Sequence, residues 1–168
     1  MIGVGVDARD HIFVVHRQQT LNARTEVLAT ATKENGSTVE FDAIVRNEPA
    51  PGEAFWFPKE PFIPLKDVKG PDKYWDNLHA TYVNDIRSLH RKRKKWEGAR
   101  FVGFTIGSKP KWVPPGDEAN KIGYYRSFHG KLRYEIDGET SSIDVHTVIS
   151  WQGRWYITHL NPFKKKKK

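Results

Sequence analysis

The chain has 168 residues, 38% hydrophobic and 12% aromatic, which is long enough for one domain with a buried core. It contains no cysteine, which excludes disulfides, thiolate metal sites and cysteine nucleophiles. No apolar run approaches the roughly 20 residues that a membrane-spanning helix needs. Its 28 Lys and Arg against 20 Asp and Glu give a net charge of +8, and removing the five lysines at 164–168 leaves +3. That lysine run reads as a disordered, solvated tail that attracts polyanions weakly and non-specifically.

The N-terminal residues show no basic segment followed by an apolar one. Two compartments stay open: the cytoplasm, or an extracytoplasmic site reached after removal of a signal segment. The abrupt strand pattern at Ile2 suggests a fragment of a longer protein. Residues 1–17 predict a β-hairpin. Ile2, Val4 and Val6 alternate, residues 8–10 turn, and residues 12–15 form a β-branched and aromatic run. On those residues, positions 4–17 resemble one hairpin of an NHL-type propeller blade, although no second copy follows at a fixed period. Residues 24–46 predict a second hairpin, with Asn35-Gly36 as its turn; a short helix over residues 22–33 is the competing reading.

Residues 47–71 hold six prolines, a density that predicts no regular element. Phe55, Trp56, Phe57 and Phe62 lie in the same stretch. They predict a connector packed on the domain, because large rings gain most by burial; a partner-binding surface is the alternative. Residues 72–97 predict a helix, with Asp72 as N-cap, a stripe of Trp75, Leu78, Tyr82, Ile86, Leu89 and Trp96, and Gly98 as the stop. Its basic end, Arg91, Lys92, Arg93, Lys94 and Lys95, complements the helix dipole and is a candidate polyanion surface. Residues 101–106 predict a strand, and residues 107–120 a loop anchored by Trp112.

Residues 121–160 predict three strands joined by two-residue turns at Asp137-Gly138 and Gln152-Gly153. The first turn sets Leu132 opposite Ile143, Lys131 opposite Asp144 and His129 opposite His146. The second sets Ile149 opposite Tyr156, Val145 opposite Leu160 and His146 opposite His159. The predicted core face is Leu132, Tyr134, Ile143, Val145, Ile149, Trp151, Tyr156 and Leu160. The other face sets His129, His146 and His159 in a row across three strands, with Val148, Trp155 and Ile157 among them. Imidazole is the usual zinc ligand, so the row is a candidate metal or acid–base site, with Asp144 as an orienting acceptor. Against that, the row spans about 10 Å at strand spacing, and ordinary cross-strand histidines on a half-exposed face fit the pattern too.

A helix followed by a long bent meander, with Gly153-Arg154-Trp155-Tyr156-Ile157 after residues 145–151 and with Tyr82 and Trp96 on the helix, resembles the nuclear transport factor two-like (cystatin-like) cone over residues 72–160. The resemblance implies a pocket between sheet and helix, used for catalysis by some members and only for binding or dimerisation by many. Tyr82, Tyr124, Tyr125 and Arg126 are the candidate ligand-binding residues, with His79 and Asp85 as further polar groups of the mouth. Taken together, the sequence predicts a single α+β domain over residues 1–163: N-terminal hairpins, then a long helix packed on a curved antiparallel sheet. The expected role is a ligand-binding or protein-assembly module without a cofactor, with a small ligand, a protein partner or a second copy as its target. The alternatives are a small enzyme, with zinc as one option, and a non-specific polyanion binder.

Overall fold

Two tight turns organise the sheet, as the Asp-Gly and Gln-Gly dipeptides predict. Asp137 and Gly138 have φ of 52° and 78°, and Gln152 and Gly153 have φ of 46° and 74°. Both central residues of each turn therefore lie in the left-handed region that a type I′ hairpin requires. The computed structural model describes residues 37–162. The expected hairpin at 1–17, the start of the second hairpin and the lysine run at 164–168 lie outside these residues.

The strands are β1 (Arg100–Thr105), β2 (Lys111–Val113), β3 (Tyr124–Ile136), β4 (Glu139–Trp151) and β5 (Arg154–His159). They form one antiparallel sheet in the order β1-β3-β4-β5, with β2 also paired to β3. β3 carries two partners along one edge: β1 lies against residues 131–135 and β2 against 124–126. Between them β3 bends at His129, whose φ is 59°. Gly107 fits against that bend because a Cβ there would lie 2.1 Å from the carbonyl oxygens of Phe128 and His129. Ser108 fastens the same point, its amide donating to the Phe128 carbonyl (2.8 Å) and its Oγ accepting from the Phe128 amide (2.9 Å). The sheet is curved as a result.

The helices are α1 (Ser37–Arg46), α2 (Lys59–Leu65) and α3 (Pro71–Lys92), with a 3₁₀ turn at Ala50–Ala54. α1 replaces the strand expected over residues 38–45. Glu40, Phe41, Ala43 and Ile44 are all buried, a spacing that fits one face of a helix and not the alternation of a strand. Asn47 closes the helix with φ of 60°. The Asn47 amide donates to the Ile44 carbonyl and the Glu48 amide to the Ala43 carbonyl, so the end is a Schellman motif followed by Pro49. Tertiary burial of Phe41 and Ile44 outweighs the local β propensity that Thr38 and Val45 suggest.

The proline-rich connector packs down as expected, but it is not free of regular structure. It holds the 3₁₀ turn and α2. Pro58 is the N-cap of α2 and Pro61 falls in its first turn, where an amide hydrogen is not needed; Pro64 lies inside a helix of only seven residues. Phe55, Trp56 and Phe57 are buried along β5. The Phe57 amide donates to the Ile157 carbonyl (2.9 Å) and the Ile157 amide to the Phe55 carbonyl (2.7 Å).

α3 starts at Pro71 after Gly70, the N-cap with φ of 68°, and Asp72 lies in the first turn instead of capping it. Its buried stripe is Leu78, Tyr82, Ile86 and Leu89. The helix stops at Lys92, short of the predicted 97, because Arg93 turns extended. Trp96 therefore packs from beyond the helix: its Nε1 donates to the His90 carbonyl (2.9 Å), and its ring lies 5.5 Å from Tyr134 and 6.2 Å from Phe41. None of the helices among the described residues is long and apolar enough to cross a membrane.

The register of β3 with β4 matches the prediction, with Leu132 opposite Ile143 and Lys131 opposite Asp144. β4 and β5 start as predicted, with Ile149 opposite Tyr156 and Val148 opposite Ile157. A bulge between Thr147 and Val148 then shifts the pairing, so that Thr147 and not His146 lies opposite His159. Six of the predicted core residues (Leu132, Tyr134, Ile143, Val145, Ile149 and Leu160) are buried, and Trp151 and Tyr156 are half-buried. Val148, Trp155 and Ile157, expected on an open face, are buried as well, so this end of the sheet is covered on both sides.

Candidate functional site

The bent sheet, α2 and the first half of α3 line an open cavity of about 390 Å³. This is within the size range of small-molecule sites. Phe62 and Leu65 of α2, Leu78 of α3, and Phe128 and Ile149 of the sheet give it apolar walls. Its polar groups are Lys66, Tyr74, Glu118, Tyr124, Arg126, His146, Thr147, Thr158 and His159. The bend at His129 and the bulge at Thr147 aim these side chains: alternate β3 residues Tyr124, Arg126 and Phe128 line it, and both His146 and Thr147 reach it from β4.

Lys66, Glu118, Tyr124 and Arg126 form one connected cluster with Asn120. Lys66 Nζ donates to Asn120 Oδ1 (2.6 Å) and to the Glu118 carbonyl (3.3 Å). Asn120 Nδ2 donates to the Tyr124 hydroxyl (2.8 Å), which in turn donates to Glu118 Oε2 (3.2 Å). Glu118 also forms an ion pair with Arg126. The Arg126 guanidinium lies over the Phe128 ring at 4.4 Å. Glu118 itself is held with φ of 52° in a short 3₁₀ turn, Asp117–Ala119. That turn is tied to the end of α2, since Asp67 N donates to the Ala119 carbonyl (2.7 Å) and Lys121 N to the Leu65 carbonyl (2.8 Å).

Burial sets the protonation of the cluster. His159 is pushed down from 6.5 to about 4, first by burial and then by the neighbouring His146 and Lys66 charges. His146 is lowered by burial and by His129. Burial alone lowers Lys66, and it also raises Tyr124. Near neutral pH the two imidazoles in the wall are therefore uncharged.

Of the predicted ligand-binding residues, Tyr124 and Arg126 line this cavity and Tyr82 and Tyr125 do not. Tyr125 points to the other side of β3, against Trp112 at 5.1 Å. Trp112, the predicted loop anchor, belongs to β2 and is 49% exposed. Tyr82 is buried, stacked on Trp56 at 4.5 Å, and donates its hydroxyl hydrogen to Glu40 Oε2 (2.7 Å). Tyr82 and Asp85 instead line a second cleft, of about 840 Å³, between α3 and the end of β5. That cleft shares Leu78, Thr158 and His159 with the first, and its lining also includes Trp56, Asn84, Ser88, Arg91 and Lys92. His79 is engaged elsewhere, paired with Glu53 at 2.6 Å and stacked on Trp75 at 4.7 Å.

The histidine row exists as a line of rings. His129 and His146 are 5.6 Å apart and His146 and His159 are 6.4 Å apart, each pair edge to face. Such a line spreads the nitrogens along the sheet instead of converging them. Among the described residues, no group of three or more His, Cys, Asp or Glu is placed to hold a metal ion. His146 and His159 enter the cavity, while His129 remains exposed. In the basic run, Arg91, Lys92, Lys94 and Lys95 are exposed, whereas Arg93 lies over the rings of Trp96 and Tyr134.

Sequence reasoning missed Lys66, Glu118 and Asn120. They come from two loops read separately, and only the long-range pairing of residue 66 with 120 brings them together. Glu40 was missed as well, since it lay in a predicted strand. No protein-family model, curated protein or solved structure matches this chain.

Proposed function

We propose that the protein is a non-catalytic module of the cystatin-like cone type that binds a small organic ligand in the cavity between α2, α3 and the bent sheet. The observation behind this reading is the cavity's composition. Apolar walls from Phe62, Leu65, Leu78 and Ile149 adjoin one patch of fixed polar groups, the pattern of a ligand site with an orienting end. The burial of His159 in this wall favours binding over general-base catalysis by that residue. A general base works best with a pKa near the operating pH, and His159, at about 4, is a weak proton acceptor.

Fluorescence titration with the neutral dye N-phenyl-1-naphthylamine tests the reading. One saturable site per chain is expected, and Ile149→Trp, which fills the cavity from its sheet wall, abolishes it. A protein without a saturable site, or a site indifferent to that substitution, refutes the reading.

A further inference from the structure

Two cations in the cavity wall each lie beside an aromatic ring. Arg126 is 4.4 Å from the Phe128 ring centroid, and Lys66 is 6.0 Å from that of Phe62. One residue, Glu118, holds both cations together, pairing its carboxylate with Arg126 and its carbonyl with Lys66. The fixed charge of this patch is one negative against two positives, because His146 and His159 are neutral near pH 7.

Donor capacity remains in the patch. Arg126 Nε is buried and has no hydrogen-bond partner. Lys66 uses two of the three hydrogens of its ammonium group. In a partly buried wall a carboxylate is the group that satisfies such charged donors most strongly. Glu118 cannot supply all of this, since it is already shared between Arg126 and Tyr124.

We infer that the ligand of this cavity is an aromatic carboxylate, its anionic end on Arg126 and Lys66 and its ring between Phe62 and Phe128. The inference rests on the ligand-binding reading above and narrows it to one chemical class. A neutral apolar ligand would fill the walls but leave the Arg126 and Lys66 donors unmatched. A cationic ligand would meet an excess of like charge.

Calorimetric titration at pH 7 with 2-naphthoate and with its neutral counterpart 2-naphthalenemethanol tests this. The acid is expected to bind at least about tenfold more tightly than the alcohol, the scale of one charge-assisted contact. Arg126→Met should weaken the acid at least about tenfold more than the alcohol and so remove that preference. If Arg126→Met does not fold by circular dichroism, Lys66→Met is measured in its place and should weaken the acid selectively. Equal binding of acid and alcohol, or equal losses of both in the variant, overturns the carboxylate inference and leaves the cavity as a neutral-ligand site. Binding of neither probe overturns the ligand-binding reading along with it.

Discussion

Tyr82 on α3 donates its hydroxyl hydrogen to Oε2 of Glu40 on α1 across 2.7 Å, joining the two helices through a fully buried carboxyl group. Burial pushes that carboxyl up from 4.5 to about 8, with the Tyr82 hydrogen bond opposing and the Glu53 charge adding to the rise. Glu40 is therefore protonated in the folded protein at neutral pH and ionised in the unfolded chain. The folded state then binds the extra proton between pH 4.5 and 8, so stability falls as pH rises through that window.

Glu40→Gln keeps an acceptor for Tyr82 and removes the titration. It should raise stability at pH 7 and above, by an amount on the order of 5 kcal/mol at most. Urea denaturation from pH 5 to pH 9 checks this. A variant whose stability declines with pH as steeply as the wild type contradicts the assignment.

His159 acts with the opposite sign. Its folded pKa, about 4, is below the ordinary 6.5, so the unfolded chain binds the extra proton between these values. Stability is lost as pH falls from 6.5 towards 4, by about 2 to 3 kcal/mol. The groups facing it are His146 and Lys66, both of which disfavour its charged form. His159→Gln should flatten the acid limb. Because the Glu40 and His159 slopes oppose one another between pH 4.5 and 6.5, the two single variants should diverge most clearly there.

Gly52 lies against the Glu40–Tyr82 pair. A Cβ on it would sit 2.1 Å from the Tyr82 hydroxyl and 2.5 Å from Glu40 Oε2. Gly52→Ala should cost about 2 to 4 kcal/mol by displacing that bond, through overpacking and the loss of a buried partner. Thermal denaturation, with tryptophan fluorescence reporting Trp56 on the Tyr82 ring, reads both effects.

Phe57 and Trp112 test the two readings of the aromatic loops. Phe57 is 1% exposed and packs against Phe62, Trp151 and Tyr156. Phe57→Ala should cost about 3 to 5 kcal/mol. Trp112 is half exposed, and Trp112→Ala should change stability by about 0.5 kcal/mol or less. Denaturant midpoints for the two variants settle the contrast.

What the sequence made legible was local. Asp137-Gly138 and Gln152-Gly153 state their own turn type, and from them follow the β3–β4 register and the first part of the β4–β5 register. The bulge at Thr147 has no such signature, because neither residue beside it needs an unusual backbone, and so the predicted opposition of His146 and His159 shifted by one. α1 was hidden for a related reason. Asn35-Gly36 signals a hairpin over a few residues, whereas the helix depends on what Phe41 and Ile44 pack against: Phe41 meets Trp96, Phe101 and Tyr134, all more than fifty positions away. The cavity was half legible. Tyr124, Arg126, His146 and His159 were selected for two separate sites, and the fold unites them in one.

The sheet has two rims, and both are blunted against strand addition. Along β5, Phe55 and Phe57 already occupy backbone groups of Ile157. On the opposite rim, β1 is broken by an irregularity between Phe101 and Gly103, and β2 is only three residues long. Rims of this kind are poor templates for β-aggregation or for domain exchange. Among the described residues, neither rim is therefore suited to extend the hydrogen-bonded ladder from one molecule into the next, and contact between two copies through this sheet is favoured face to face, through side chains.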